Sequence, residues 1–154
     1  MKVLFVCLGN ICRSPTAEGV FRKYLAESAL ADKVTVDSAG TADWHTGKGP
    51  DPRTCEAALK RGYDLSKLQA RQATAEDFHN FDLILAMDKS NLANLEALRP
   101  ADSRAELDLL LQRYDLPRSE VPDPYYGGEQ GFEDVLDLLE NASQALLAEL
   151  QERV

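Results

Sequence analysis

The chain has 154 residues, 44% hydrophobic and 28% charged, which suits one domain over residues 1–154 with a core of useful size. A formal net charge of −9 argues against nucleic acid as a partner, because its binders carry basic patches. No apolar run reaches membrane-spanning length, and three cysteines, an odd number, suggest no disulfide framework and a cytoplasmic setting.

Met1-Lys2 and the short apolar run behind them are too brief for a signal peptide and lack a small-residue cleavage site. Val3 to Cys7 therefore reads as a buried strand. Pro15 to about Ala29 reads as a helix, with Val20, Phe21, Tyr24 and Leu25 at helical spacing. Val34-Thr35-Val36 is a short β-branched strand. Asp51-Pro52 opens a second helix that Gly62 closes. Thr74 to Phe78 suits a short helix, Asp82 to Met87 a buried strand, and Ser90 to Leu98 a further helix. Leu107 to Leu111 is ambiguous, since its leucines suit a helix as well as a strand. From Gly131 onward, Phe132, Val135, Leu138, Leu139, Ala142, Leu146, Leu147 and Leu150 mark one face of a long amphipathic helix. Alternation of this kind predicts an α/β sandwich with a parallel sheet and right-handed crossovers. Ligands bind such sheets beyond the carboxyl ends of the strands, where the Cys7 loop, Ser38 to Thr41 and Met87-Asp88 all fall.

Chemistry concentrates in Cys7-Leu8-Gly9-Asn10-Ile11-Cys12-Arg13-Ser14, between the first strand and the first helix. A strand feeding a short loop and a helix N-terminus gathers backbone N–H groups and the positive end of the helix dipole around one point. The field that binds a phosphate also favours the thiolate of Cys7, the nucleophilic form. Arg13 can grip two phosphate oxygens with its planar fork. The loop from Leu8 to Cys12, with Ser14, supplies the cradle; Gly9 admits close approach, and Asn10 tolerates the left-handed backbone that turns N–H groups inward. Ser14 suits a donor to the thiolate, a helix cap, or both. Cys12 reads equally as a packing residue beneath the loop and as a thiol able to trap oxidised Cys7. Asp123, between Pro122 and Pro124, reads either as a surface turn or as the proton donor that a leaving oxygen needs. Trp44, His45, Tyr125 and Tyr126 are aromatic candidates for the crevice wall. No Walker A loop, three-glycine dinucleotide fingerprint or metal-ligand spacing is present, so no cofactor and no metal are expected.

The string CLGNICRSP resembles the low-molecular-weight protein tyrosine phosphatases. The resemblance continues through Asp37-Ser38-Ala39-Gly40-Thr41, Pro50-Asp51-Pro52-Arg53, Ala70-Arg71-Gln72 and Val121-Pro122-Asp123-Pro124-Tyr125-Tyr126-Gly127-Gly128, and so covers essentially the whole chain. It implies a three-layer α/β/α sandwich with a central four-stranded parallel sheet. It implies a phosphoric monoester hydrolase acting on phosphotyrosine through a phospho-cysteine, with Cys7 as nucleophile, Arg13 as phosphate clamp and Asp123 as general acid. Ser38 matches the family's loop-supporting serine. Leu68 stands where many members have a histidine, which puts part of the supporting network in question. The implied partner is a phosphotyrosine-bearing protein, a bacterial tyrosine kinase among the candidates.

Other reactions run on related sequences. An arsenate reductase of this kind relays electrons through late cysteines, and nothing after Cys55 is a cysteine. A phosphoarginine phosphatase has threonine at the position of Ile11. A non-catalytic phosphate binder has no need of Cys7, Arg13 and Asp123 together.

Overall fold

A computed structural model describes residues 1–125 and 128–154. Four parallel strands form the sheet: β1 (Lys2–Cys7), β2 (Thr35–Gly40), β3 (Leu83–Ala86) and β4 (Glu106–Leu109), in the order β2-β1-β3-β4. Around it run α1 (Arg13–Ala26), α2 (Pro52–Lys60), α3 (Asp77–Asn80), α4 (Lys89–Leu98), α5 (Leu110–Arg113) and α6 (Glu129–Arg153).

The sheet is central because its two inner strands, β1 and β3, are apolar and buried on both faces, as parallel strands covered by helices must be. Alternate residues of β1 go to opposite layers. Val3 and Phe5 pack with Phe21 of α1 and with Val135, Leu139 and Leu146 of α6. Leu4 and Val6 pack with Phe78 of α3 and Leu95 of α4. A smaller cluster joins Val20 of α1, Ala57 and Ala58 of α2, and Phe132 and Leu136 of α6. This is the expected three-layer α/β/α sandwich. No helix among the described residues is long and apolar enough to cross a membrane.

Element boundaries differ from expectation for local reasons. α1 stops at Ala26 rather than Ala29, because the Ser28 hydroxyl donates to Leu25 O and accepts from Leu30 N–H, closing a turn. β2 runs on to Gly40, paired with β1 throughout. The ambiguous leucines divide between two elements: β4 ends at Leu109 and α5 starts at Leu110. The short helix begins at Asp77, with Thr74 N–H donating to its carboxylate at 2.8 Å. α2 matches its signals, with Asp51 capping it and Gly62 leaving it at φ +89°.

Candidate active site

Sheet register sets the site. Cys7 ends β1 opposite Gly40, which ends β2, and Met87 N–H donates to Val6 O just past β3. The loop after Cys7 leaves the carboxyl edge and enters α1 at Arg13. Its outer carbonyls are taken by neighbours. Cys7 O accepts from Thr41 N–H, Leu8 O from Ala42 N–H, and Ile11 O from Asp51 N–H, at 2.8–2.9 Å. A trans peptide points its N–H opposite to its C=O, so the N–H groups of Leu8, Gly9 and Cys12 face the concave side. Close approach of β2 makes this possible. A Cβ on Gly40 would lie 2.7 Å from Leu8 O and 3.1 Å from Asn10 N.

Asn10 takes the expected left-handed conformation, φ 57°. Its side chain explains why that conformation holds. The amide donates to Ser14 Oγ at 2.7 Å and Ser38 Oγ at 3.0 Å, and its Oδ1 accepts from Arg71 N–H at 3.0 Å. Ser38 in turn donates to Glu18 Oε1 at 2.7 Å, and buried Glu18 is neutralised by Arg22 at 2.7 Å. The network closes without residue 68; Leu68 packs beside the cluster around Cys12 instead.

Cys7 Sγ lies 3.0 Å from Ser14 Oγ and accepts from Asn10 N–H at 3.3 Å. Ser14 is the second residue of α1 and does not cap it; the cap position is Cys12, which makes no side-chain capping bond. The Ser14 oxygen is spent on Asn10, Cys7 and Ala39 O. Cys12 is buried among Val20, Ala57 and Phe132, and burial pushes its thiol up to about 12.

Arg13 is 2% exposed, so its charge needs partners. Nη1 donates to Asp88 Oδ2 at 2.6 Å and to Val121 O at 3.1 Å, and Nη2 lies 3.7 Å from Asp123 Oδ2. Burial pulls the guanidinium pKa down, but Cys7, Asp88 and Asp123 outweigh that and leave it raised. The sequence places Asp88 at the sheet edge without assigning it a role. Its other oxygen caps α4, accepting from Asn91 N–H at 2.7 Å in a capping box, a signal readable as Asp-x-x-Asn. Arg53 falls within the Pro50-Asp51-Pro52-Arg53 string of the family resemblance, which assigns it no role, and nothing in the sequence points from Glu18 to Ser38.

Cys7, Leu8, Gly9, Ile11, Cys12, Arg13, Trp44, His45, Asp123 and Tyr125 line one cavity of about 260 Å³. Asn10 and Ser14 lie behind this lining, and Ser38 behind them. Trp44, 67% exposed, stands at the rim, and His45 lies against Gly9. Tyr126 lies outside the described residues. The arrangement can hold a tetrahedral oxyanion between backbone N–H groups and a guanidinium, with sulfur at its base and a carboxylate at its mouth.

A family model described as low molecular weight phosphotyrosine protein phosphatase matches residues 2–154. A low molecular weight phosphotyrosine protein phosphatase of Schizosaccharomyces pombe is 48% identical over 150 residues, 96% of this chain and 95% of the relative. Among solved structures, a protein tyrosine phosphatase of Entamoeba histolytica with Hepes in its active site superposes with a TM-score of 0.93 at 42% identity, covering 99% of this chain and 97% of that one. A Drosophila arginine phosphatase superposes at 0.89 with 32% identity, covering 97% and 98%. Strand–loop–helix geometry, buried arginine and similarity along the whole chain agree: the protein belongs to the low molecular weight phosphotyrosine protein phosphatase family.

Proposed function

We propose that the protein is a protein-tyrosine phosphatase that hydrolyses aryl phosphate monoesters through a phospho-cysteine on Cys7. The observation that carries this is the convergence of Cys7, Arg13 and Asp123 on one cavity walled by Trp44, His45 and Tyr125. Loop N–H groups and Arg13 hold the phosphoryl oxygens. The Cys7 thiolate attacks phosphorus as the bond to the phenol oxygen breaks, and Asp123 delivers its proton to that oxygen. Asp123, now ionised, takes a proton from water, which attacks phosphorus and releases phosphate and the thiolate.

Ser14 fits both ends of this cycle. Its oxygen accepts from Asn10, leaving one hydroxyl proton with two acceptors in reach, Ala39 O and Cys7 Sγ. A neutral thiol donates to Ser14 while the hydroxyl serves Ala39; a thiolate draws the hydroxyl to itself.

Specificity follows from depth and wall chemistry. A phenyl ring reaches Cys7 between aromatic walls, whereas phosphoserine is too short. Ile11 gives the cavity an apolar wall where a phosphoarginine enzyme has threonine. The partner is a phosphotyrosine-bearing protein, and an autophosphorylated bacterial tyrosine kinase is the first to assay. Residues 1–154 act as one domain, in the cytoplasm, where a thiol nucleophile stays reduced.

Side-by-side assays on phosphotyrosine, phosphoserine and phosphoarginine peptides test the reading. Phosphotyrosine should be cleaved in preference to both others, and Cys7→Ser should abolish turnover while still binding inorganic phosphate. Preference for phosphoarginine would favour the activity named for the Drosophila relative. Near-normal turnover by Cys7→Ser would overturn the cysteine mechanism.

A further inference from the structure

Arg53 lies behind the cavity wall, and three of its contacts join parts of the site that no strand or helix connects. Asp51 is tied to the phosphate loop, its N–H donating to Ile11 O at 2.8 Å. Arg53 grips the buried Asp51 carboxylate from Nε at 3.1 Å and Nη2 at 3.0 Å. That same Nη2 donates to Tyr125 O at 3.0 Å, and the guanidinium lies 5.4 Å from the Tyr125 ring centre and 5.0 Å from that of Phe132. Tyr125 N–H donates to Asp123 Oδ1 at 3.0 Å. A continuous path thus runs from Ile11 through Asp51, Arg53 and Tyr125 to the Asp123 carboxyl group.

We infer that Arg53 is a positioning residue that holds the Asp123 loop in register with the phosphate loop, and so aims the carboxyl at the leaving oxygen. The inference rests on the reading of Asp123 as general acid. With Oδ1 occupied by Tyr125 N–H, the oxygen left for the transferable proton is Oδ2, the one nearest Arg13. A guanidinium suits the post because its planar fork can pair with a carboxylate, serve a carbonyl and stack on a ring together; an ammonium cannot do all three. The plainer alternative is a pair, half-exposed at Arg53 and buried at Asp51, that only supports the start of α2. The Arg53 side chain is 48% exposed, and such pairs contribute little to stability.

The experiment measures kcat/KM, which reports phosphoryl transfer to Cys7, for aryl phosphates of increasing leaving-group pKa. It compares the wild type with Arg53→Ala, Arg53→Lys, Asp123→Asn and the Arg53→Ala/Asp123→Asn double variant. Thermal melts and inhibition by inorganic phosphate confirm a folded phosphate loop in each. Arg53→Ala should lose about tenfold with poor leaving groups, a fraction of a full general-acid effect, and progressively less with good ones. Arg53→Lys should recover part of the loss. In the Asp123→Asn background Arg53→Ala should cost less than about twofold, since residues that act through one another are not additive. A loss equal for all leaving groups, or undiminished in the Asp123→Asn background, overturns the inference, as does no loss. A flat leaving-group profile for Asp123→Asn alone would overturn the acid assignment and the Arg53 role with it, a pattern distinct from failure of Arg53 alone. Should Arg53→Ala not fold, the same comparison is made with Arg53→Lys.

Discussion

Single residues at this site each serve several partners. Asn10 ties together Ser14, Ser38 and Arg71, so the left-handed turn of the loop is held at its side chain. Asp88 divides its two oxygens between α4 and Arg13. Asp123 meets the cavity with one oxygen already bound. Asp123→Asn should lower kcat about 10²–10⁴-fold, the usual scale of a general acid, and steepen the dependence on leaving group. Steady-state rates on phenyl and nitrophenyl phosphates check this. The two loop cysteines should also separate chemically. With its thiol pushed up to about 12 by burial, Cys12 stays protonated at neutral pH. Iodoacetamide at pH 7 should therefore label Cys7 first and leave Cys12 unmodified, and inorganic phosphate should protect Cys7. Peptide mapping by mass spectrometry reads both.

At the scale of elements, the end of β2 and the loop after Cys7 are built as one unit. Gly40 O accepts from Ala73 N–H and Gly40 N–H donates to Arg71 O, which brings the 70–73 segment alongside and delivers Arg71 N–H to Asn10. A methyl group at Gly40 meets backbone of the loop rather than a flexible side chain. Gly40→Ala should therefore cost about 1–3 kcal/mol, the range for overpacking, and should weaken phosphate binding along with stability. Urea melts and phosphate inhibition constants measure the pair. Strand identities were legible because Val3 to Cys7 and Asp82 to Met87 are apolar runs between polar flanks. The break inside Leu107 to Leu111 was not. Leucine carries no preference strong enough to separate a strand end from a helix start, and pairing of β4 with β3 decided it.

For the whole molecule, α6 is pinned to the sheet edge by charge as well as by its apolar face. Arg113 pairs with Glu149 at 2.7 Å and Glu106 at 3.0 Å, and Arg153 joins both acids. Hydrogen bonds from Arg113 hold the Glu149 carboxyl at about 2, below the usual 4.5. A carboxylate depressed in the folded state contributes stability that is complete above the unfolded value and is lost as pH falls through the folded one. Acid destabilisation from this group should thus fall between pH 4.5 and about 2. Glu149→Gln should lower stability by about 2 kcal/mol at pH 6 and by progressively less towards pH 2, read from thermal melts across that range.

The strand–loop–helix turn was readable from eight consecutive residues, Cys7 to Ser14, because neighbours along the chain are neighbours in space wherever a strand turns into a helix. The layered fold was readable for a similar reason: strand and helix periods are local properties. Which carboxylates serve Arg13 was another matter. Among 26 acidic residues, Asp88 shows its strand end and its capping signal, but nothing local ties it to Arg13, 75 positions away, or ties Glu18 to Ser38, 20 positions away. Asp123 stood out through its family resemblance, since an Asp-Pro turn does not reveal what it faces. Those choices belong to the crossovers of the parallel sheet. They carry the ends of β1, β2 and β3 to one edge and bring Val121 N–H onto Met87 O. A hydrogen bond requires approach to about 3 Å, and only the packed chain brings distant segments that close.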